Sequence, residues 1–414
     1  MTLPHADPKK EDRFAAFRHV AFRRYWLARF CSTFAVNITS VAVGWQVYDL
    51  TRDPFDLGLI GIIQFAPSLL LVLVTGQAAD RFGRRAIMAI SAFMEAACVL
   101  ALLVLTLRGL TGVLPVFAIL ALFGVSRAFF APASAALLAN LLPKEDFANA
   151  VAWNSSSWQV AAVMGPVAGG LLYGVSPLAA YGIASVMIFS AAILCIAIPK
   201  PAKREGGELA TLQTLFDGFK YIYREKVVLG AISLDLFAVL LGGAVALMPV
   251  YARDILELGP WGLGLLRASP GVGAVIMAVY LSGVPMRRHA GVIMLVCVAF
   301  FGAFTAIFSV STVAWLSILA LAGLGAADMI SVYIRETLIQ LWTPDHLRGR
   351  VNAVNMVFIG ASNELGEFRA GTMAAVIGTV NAVLFGGIGA IVVAGMWAKL
   401  FPEMRKVQHL EGRH

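Results

Sequence analysis

Charge is what this sequence has least of. Of its 414 residues only 14% are Asp, Glu, Lys or Arg, against about 25% in an ordinary soluble domain. A soluble fold of this length cannot cover its surface with so few polar side chains. Cysteine is sparse too, with four residues, which excludes a disulfide-stapled secreted scaffold. Cys31, Cys98, Cys195 and Cys297 fall in separate apolar stretches and read as small core hydrophobes. No Gly-x-x-x-x-Gly-Lys-Ser/Thr loop occurs, so an ATP-driven pump is not expected. His-Glu-x-x-His, a cysteine cluster and Gly-x-Ser-x-Gly are also missing, which argues against a metal enzyme or serine hydrolase. The chain is read as a non-enzyme with no cofactor, no metal and no nucleic-acid partner.

What is plentiful is apolar sequence. Hydrophobic residues make up 59% of the chain, and the mean hydropathy is +0.81. A helix that crosses a bilayer needs about 20 mostly apolar residues. Twelve such stretches can be placed, at 24–48, 57–79, 86–107, 114–139, 150–173, 178–198, 227–251, 262–284, 291–310, 313–341, 350–373 and 378–400. Runs this long are not the alternating strands of about 10 residues that build an outer-membrane barrel. The fold class is therefore an all-α membrane protein with twelve transmembrane helices.

Lys and Arg set the expected orientation. With the N-terminus cytoplasmic, Lys9, Lys10, Arg84, Arg85, Lys203, Arg204, Arg287, Arg288, Arg405 and most other basic residues lie inside. Arg52, Arg108 and Arg253 lie outside, and Arg29, Arg127, Arg267, Arg335 and Arg369 fall within spans. Both termini are thus expected on the cytoplasmic side of the inner membrane. The net charge of +8 then belongs to the inner leaflet and its lipids rather than to a nucleic-acid footprint. The first apolar run is long enough to stay as a helix, so no cleaved signal is expected.

The longest polar interruption lies between spans six and seven and divides the chain in two. The organisation read from it is a cytoplasmic N-terminus (1–23), a six-helix bundle (24–198), a linker (199–226), a second six-helix bundle (227–400) and a tail (401–414). Leu215, Phe216, Phe219 and Ile222 keep helical spacing among Lys220, Arg224 and Lys226, which reads as an amphipathic helix on the inner leaflet. Phe14, Phe17 and Phe22 with Arg13, Arg18, Arg23 and Arg24 read the same way. The halves also match one another at a single offset. Pro143 falls on Pro344, Ala152 on Ala353, Asn154 on Asn355, Gly165 on Gly366, Gly170 on Gly371 and Gly124 on Gly325. Such matches favour an internal repeat and two pseudo-symmetric bundles.

Two motifs stand out. Gly76, Asp80, Arg81, Gly83, Arg84 and Arg85 make a tight basic turn after span two. Its glycines permit close backbone approach. Asp80 could cap a helix N-terminus, and Arg84 and Arg85 could hold anionic lipid or carboxylates. In span five, Gly165, Pro166, Gly169 and Gly170 supply small residues for close helix packing and a proline that can bend the helix.

On these motifs the sequence resembles the major facilitator superfamily. Gly76 to Arg85 looks like that family's loop between helices two and three, and Gly165 to Gly170 like the motif of its exporters. Phe22 to Phe30, Thr343 to Asn352 and Asn363 to Glu367 look most like a branch of siderophore and drug efflux carriers. The second copy of the loop, Gly283 to Arg288, lacks the aspartate. The resemblance implies the twelve-helix major facilitator fold and alternating access. Two bundles would rock about a midplane cavity lined by helices one, four, seven and ten.

Charges near mid-depth carry the chemistry, because each costs about 2.5–3.5 kcal/mol to insert. Arg127 lies in span four, Asp235 in span seven and Asp328 in span ten, and Asn37 is the mid-depth polar group of span one. Arg127 and Asp328 share the repeat offset, so a cavity-spanning ion pair is expected, either switchable or static. A carboxylate that gains and loses a cationic partner can carry a proton. Asp235 is a second proton candidate. Glu364 and Glu367 share a face and read as proton sites or an outer gate. Glu95 reads as packing against a neighbouring helix. The histidines lie outside the spans, so no histidine relay is available. Gln46, Gln64, Asn154 and Trp158 are substrate-cavity candidates, and Trp45 and Trp153 could be interface anchors.

The function expected is a proton-coupled exporter of an amphipathic small molecule such as a siderophore or drug, acting as a monomer. The alternatives are a proton-coupled importer of a siderophore or nutrient and a non-transporting membrane scaffold.

Overall fold

The computed structural model describes residues 13–200, 212–283 and 289–407. A short 3-10 turn (Ala15–Arg18) leads into six long helices: α1 (Val20–Thr51), α2 (Pro54–Phe82), α3 (Arg84–Arg108), α4 (Leu114–Leu138), α5 (Lys144–Val175) and α6 (Pro177–Ala197). Helix α7 (Leu212–Arg224) precedes the second set. That set comprises α8 (Lys226–Gly242), the three-residue turn α9 (Met248–Val250), α10 (Gly259–Gly283), α11 (Ala290–Val310), α12 (Ala314–Trp342), α13 (Asp345–Ile377) and α14 (Thr379–Leu400). A last short helix, α15, covers Pro402–Arg405.

The helix boundaries follow from local chemistry. The Asp53 side chain accepts from Phe55 N at 2.9 Å, with Pro54 in the first turn of α2, the arrangement that best satisfies free amides there. Ser176 caps α6 in the same way ahead of Pro177. Gly83 and Gly378 take φ of +88° and +85°, values that favour glycine, and let α2 reverse into α3 and α13 into α14.

Eleven helical stretches among the described residues are long and apolar enough to cross a membrane. The remaining long helix, α13, carries Glu364, Glu367 and Arg369 within its body. Helices α1–α6 form one bundle and α8–α14 the other. Within the first, α1 packs on α5 and α6, α2 on α4, and α3 on α4 and α6. Within the second, α8 packs on α13 and α14, α10 on α12, and α11 on α12 and α14. The two patterns superpose element for element. Between the bundles, α5 packs on α10 and α2 on α13, again an equivalent pair. The repeated glycines hold equivalent places: Gly124 closes on the Gln64 backbone and Gly325 on the Pro270 backbone.

One element differs from the sequence reading. Span seven is not one continuous helix. Helix α8 ends at Gly242–Gly243, and the chain proceeds through a 3-10 turn (Val245–Leu247), α9 and a π turn (Tyr251–Ile255). Two adjacent glycines and Pro249 weaken helix continuity. The Arg369 guanidinium donates to the freed carbonyls of Leu240 (3.0 Å) and Leu241 (2.5 Å). The linker segment read as an amphipathic helix is helical, as α7, and packs on α13. Gly218 abuts the Arg350 backbone, Phe219 meets Phe358 edge-on, and Tyr221 donates to the Trp342 carbonyl at 2.7 Å.

The described chain ends, near residues 13 and 407, lie on one face, called here the terminal face. Helices α1 and α2 turn at the opposite face.

Candidate functional site

A cavity of about 350 Å³ lies between the bundles. Ser40 of α1, Gln64 and Ser68 of α2, Arg127 of α4, Arg267 of α10, and Glu364 and Glu367 of α13 supply its polar wall. The irregular segment after α8 contributes Val245 and Ala246. Non-helical backbone at membrane depth is tolerated where it lines such a space. A second cavity of about 200 Å³ adjoins through Glu367 and reaches Asp328. Asp328 also borders a space of about 10 Å³, beside Asp235 and Ser331, about the volume of one water.

The expected Arg127–Asp328 pair is not formed. Arg127 shares its cavity with Glu364 and Glu367, whereas Asp328 sits on the far side of Glu367 near Asp235. The Arg335 guanidinium pairs with Asp235. Asp235 of α8 is thus paired within its own bundle, by Arg335 of α12. Arg335 is only 3% exposed, and its pairing offsets the penalty of a lone charge in this position.

Among the other candidates, Gln64 faces the cavity but Gln46 does not. Gln46 is buried within the first bundle, donating to Thr106 Oγ1 (2.9 Å) and accepting from Tyr181 OH (2.7 Å). Asn37 bonds back to the Thr33 carbonyl and packs against Gly165 in the α1–α5 seam. Trp158 is exposed on α5. Asn154 holds a buried side-chain oxygen without a hydrogen-bond partner among the described residues. Glu95 is buried against α1 and accepts from Ser32 Oγ at 3.1 Å. Trp153 is a packing residue, stacked on Phe14 and donating to the Arg13 carbonyl at 2.9 Å.

Gly76 and Asp80 lie inside α2, and Gly83, not Asp80, occupies the N-cap of α3. Arg81 is exposed at the end of α2, where its guanidinium lies 5.6 Å from the Phe82 ring centroid. Arg84 donates to the Ala136 carbonyl (2.9 Å) and Arg85 to the Ile198 carbonyl (2.6 Å). These are carbonyls at or beside helix C-termini, which arginines complement in both hydrogen bonding and dipole. In α5, Gly165 fits against Asn37 and Gly169 against Ile38 and Val41 of α1. Gly170 and Pro166 face α10 of the other bundle at Gly264.

Sequence reading missed a charged cluster at the opposite face. Arg253 pairs with Asp49, and Arg52 with Asp254 at 3.2 Å. Tyr48 donates to Asp254, and the Arg253 guanidinium lies 5.4 Å from the Trp45 ring centroid. Each contact joins the end of α1 to the end of the broken seventh span. The available signal was the matching placement of opposite charges at the C-terminal ends of spans one and seven. Nearer the cavity, Arg267 donates to Ser40 Oγ at 2.6 Å, again across the bundles. Among the described residues no group of His, Cys, Asp and Glu is arranged to hold a metal ion.

Two six-helix bundles related by a repeat, meeting around a charged cavity, define a membrane transporter of the major facilitator type rather than an enzyme. The model of the transmembrane secretion effector family matches residues 11–412, and the chain belongs to that family. It is similar to the enterobactin exporter of Citrobacter koseri, 26% identical over 401 residues, spanning 94% of this chain and 93% of that protein. The enterobactin exporter of Escherichia coli aligns with the same figures. Among solved structures, a bacterial homologue of the human lysosomal transporter Spinster, inward-facing and unoccupied, superposes with a TM-score of 0.72 at 12% identity. That match covers 93% of this chain and 98% of the other. A bacterial homologue of the iron transporter ferroportin, in an inward-facing state, gives 0.68 at 17% identity over 93% and 98%. These structures share the fold.

Proposed function

We propose that this transporter is a proton-coupled exporter of an amphipathic organic molecule, siderophore-like or drug-like, in the inner membrane with both termini cytoplasmic. The observation that carries the reading is the charged cavity between the bundles, with ion pairs joining α1 to the end of span seven at the opposite face. With the basic terminal face cytoplasmic, substrate enters from the cell interior. Parting Asp49 from Arg253 and Arg52 from Asp254 then releases it outward. The similarity to enterobactin exporters supports this direction.

Asp328 is the first coupling residue. It stands between the cavity system and the Asp235–Arg335 pair, where a proton taken up can alter how the second bundle's charges balance. Asp235, Glu364 and Glu367 complete the set of proton carriers. Each pH unit of gradient supplies about 1.4 kcal/mol and each charge moved across 100 mV about 2.3 kcal/mol.

The test is retention of a fluorescent dye and of a catecholate siderophore in cells carrying wild type or Asp328→Asn at matched membrane levels, with and without a protonophore. Faster loss in wild type, abolished by either change, is expected. Greater accumulation in wild type would mean import. Equal loss from wild type and Asp328→Asn would remove the coupling assignment.

A further inference from the structure

The central cavity is lined by two guanidiniums and two carboxylates, Arg127, Arg267, Glu364 and Glu367. Both glutamates turn towards α2 at Gly61. A Cβ placed on that glycine would lie 2.5 Å from Glu364 Oε2 and 3.4 Å from Glu367 Oε2. Gly61 thus leaves the two carboxylates room against the helix seam. Arg127 is placed differently. Its side chain is exposed and lines the cavity, and among the described residues it makes no hydrogen bond or ion pair. Gln64 and Ser68 line the same cavity with further hydrogen-bonding groups. Arg267 comes from the other bundle; one guanidinium nitrogen holds Ser40, and its buried Nε has no hydrogen-bond partner among the described residues.

A guanidinium held at membrane depth without a direct ion pair is costly, and its five donors form a rigid fork suited to two oxygens in one plane. We propose that Arg127 and Arg267, one from each bundle, form the binding site for the anionic group of the transported molecule, a planar two-oxygen anion such as a carboxylate or catecholate. The inference rests on the transporter reading and adds the chemical class of the substrate. An anion held by one cation from each bundle draws the bundles together around it, so occupancy and closure are linked. Outward movement of that anion is favoured by an interior-negative potential, by about 2.3 kcal/mol per charge per 100 mV. The opposite choice, a cationic substrate held by Glu364 and Glu367, is an outcome of the same test.

The test uses full-length protein in lipid nanodiscs and two dyes of similar skeleton, anionic fluorescein and cationic rhodamine 6G, followed by fluorescence anisotropy. Saturable fluorescein binding stronger than that of rhodamine 6G is expected. Arg127→Gln should weaken it at least tenfold, the scale of a lost charge-assisted hydrogen bond, and Arg127→Lys should restore part of it. Benzoate should displace fluorescein from wild type and benzamide should not, a readout independent of how the variants fold. Preference for rhodamine 6G, lack of saturable fluorescein binding, or equal displacement by benzoate and benzamide would each overturn the anion site. Those results leave the cell-based export test untouched, so the two readings fail separately.

Discussion

At the scale of single residues, buried charge decides most. The Asp235–Arg335 pair lies inside the second bundle, and breaking such a pair leaves one charge without compensation. Asp235→Asn should cost about 3–5 kcal/mol, read as a lowered midpoint of thermal unfolding in detergent. The double variant Asp235→Asn with Arg335→Gln should recover much of that loss. No recovery would mean that Arg335 matters for packing, not pairing. The mid-depth charges themselves were visible in the sequence, because a charge within an apolar run stands out wherever it falls. Their partners were not. The repeat offset gives Arg127 and Asp328 equivalent positions in two bundles, and equivalence under a pseudo-twofold axis does not require contact. Gln46 shows the same limit from another side: a polar residue in a span does not announce whether it faces a cavity or the Thr106 and Tyr181 side chains.

At the scale of elements, glycine sets how near helices come. A Cβ at Gly170 would lie 2.9 Å from the Gly264 Cα, and one at Gly371 would lie 2.8 Å from the Gly58 Cα. Both pairs sit where one bundle meets the other. Gly170→Val and Gly371→Val should therefore each reduce transport by at least tenfold while the protein still reaches the membrane. Gly182→Ala and Gly395→Ala meet no atom within 4 Å and should transport at wild-type rates. The comparison is made by dye efflux at equal expression, and loss of activity in the two controls would sink the packing argument. Helix count and most helix ends were legible because apolar length and turn residues are local properties. The interruption of span seven was not. Gly242–Gly243 alone is compatible with a helix, and it is Arg369, far along the chain, that supplies hydrogen bonds for the carbonyls that the break frees.

At the scale of the whole molecule, the ion pairs of the opposite face are the parts that must separate for that side to open. Their side chains are 23–52% exposed, so each pair contributes at most about 1 kcal/mol. A closure this weak can yield to modest changes in the cavity. Arg253→Ala should shift the population towards opening at that face. The measurement is the distance between spin labels on α1 and α10 near their ends at that face, and an unchanged distribution would show that the pairs follow the conformation without biasing it. Twofold organisation was legible from the repeat, whereas this closure was not, since its members come from spans brought together only by folding.

The glycine seams have one more consequence. Where α5 meets α10 and α2 meets α13, the closest approaches are backbone to backbone, so docking of the halves asks little of side-chain identity. The two halves are interchangeable parts in that sense. A hybrid joining residues 1–200 of this chain to the second half of a relative only 26% identical needs to preserve a few glycines and the carbonyls they admit. Lineages of such carriers are thereby free to recombine their two halves without inventing a new junction.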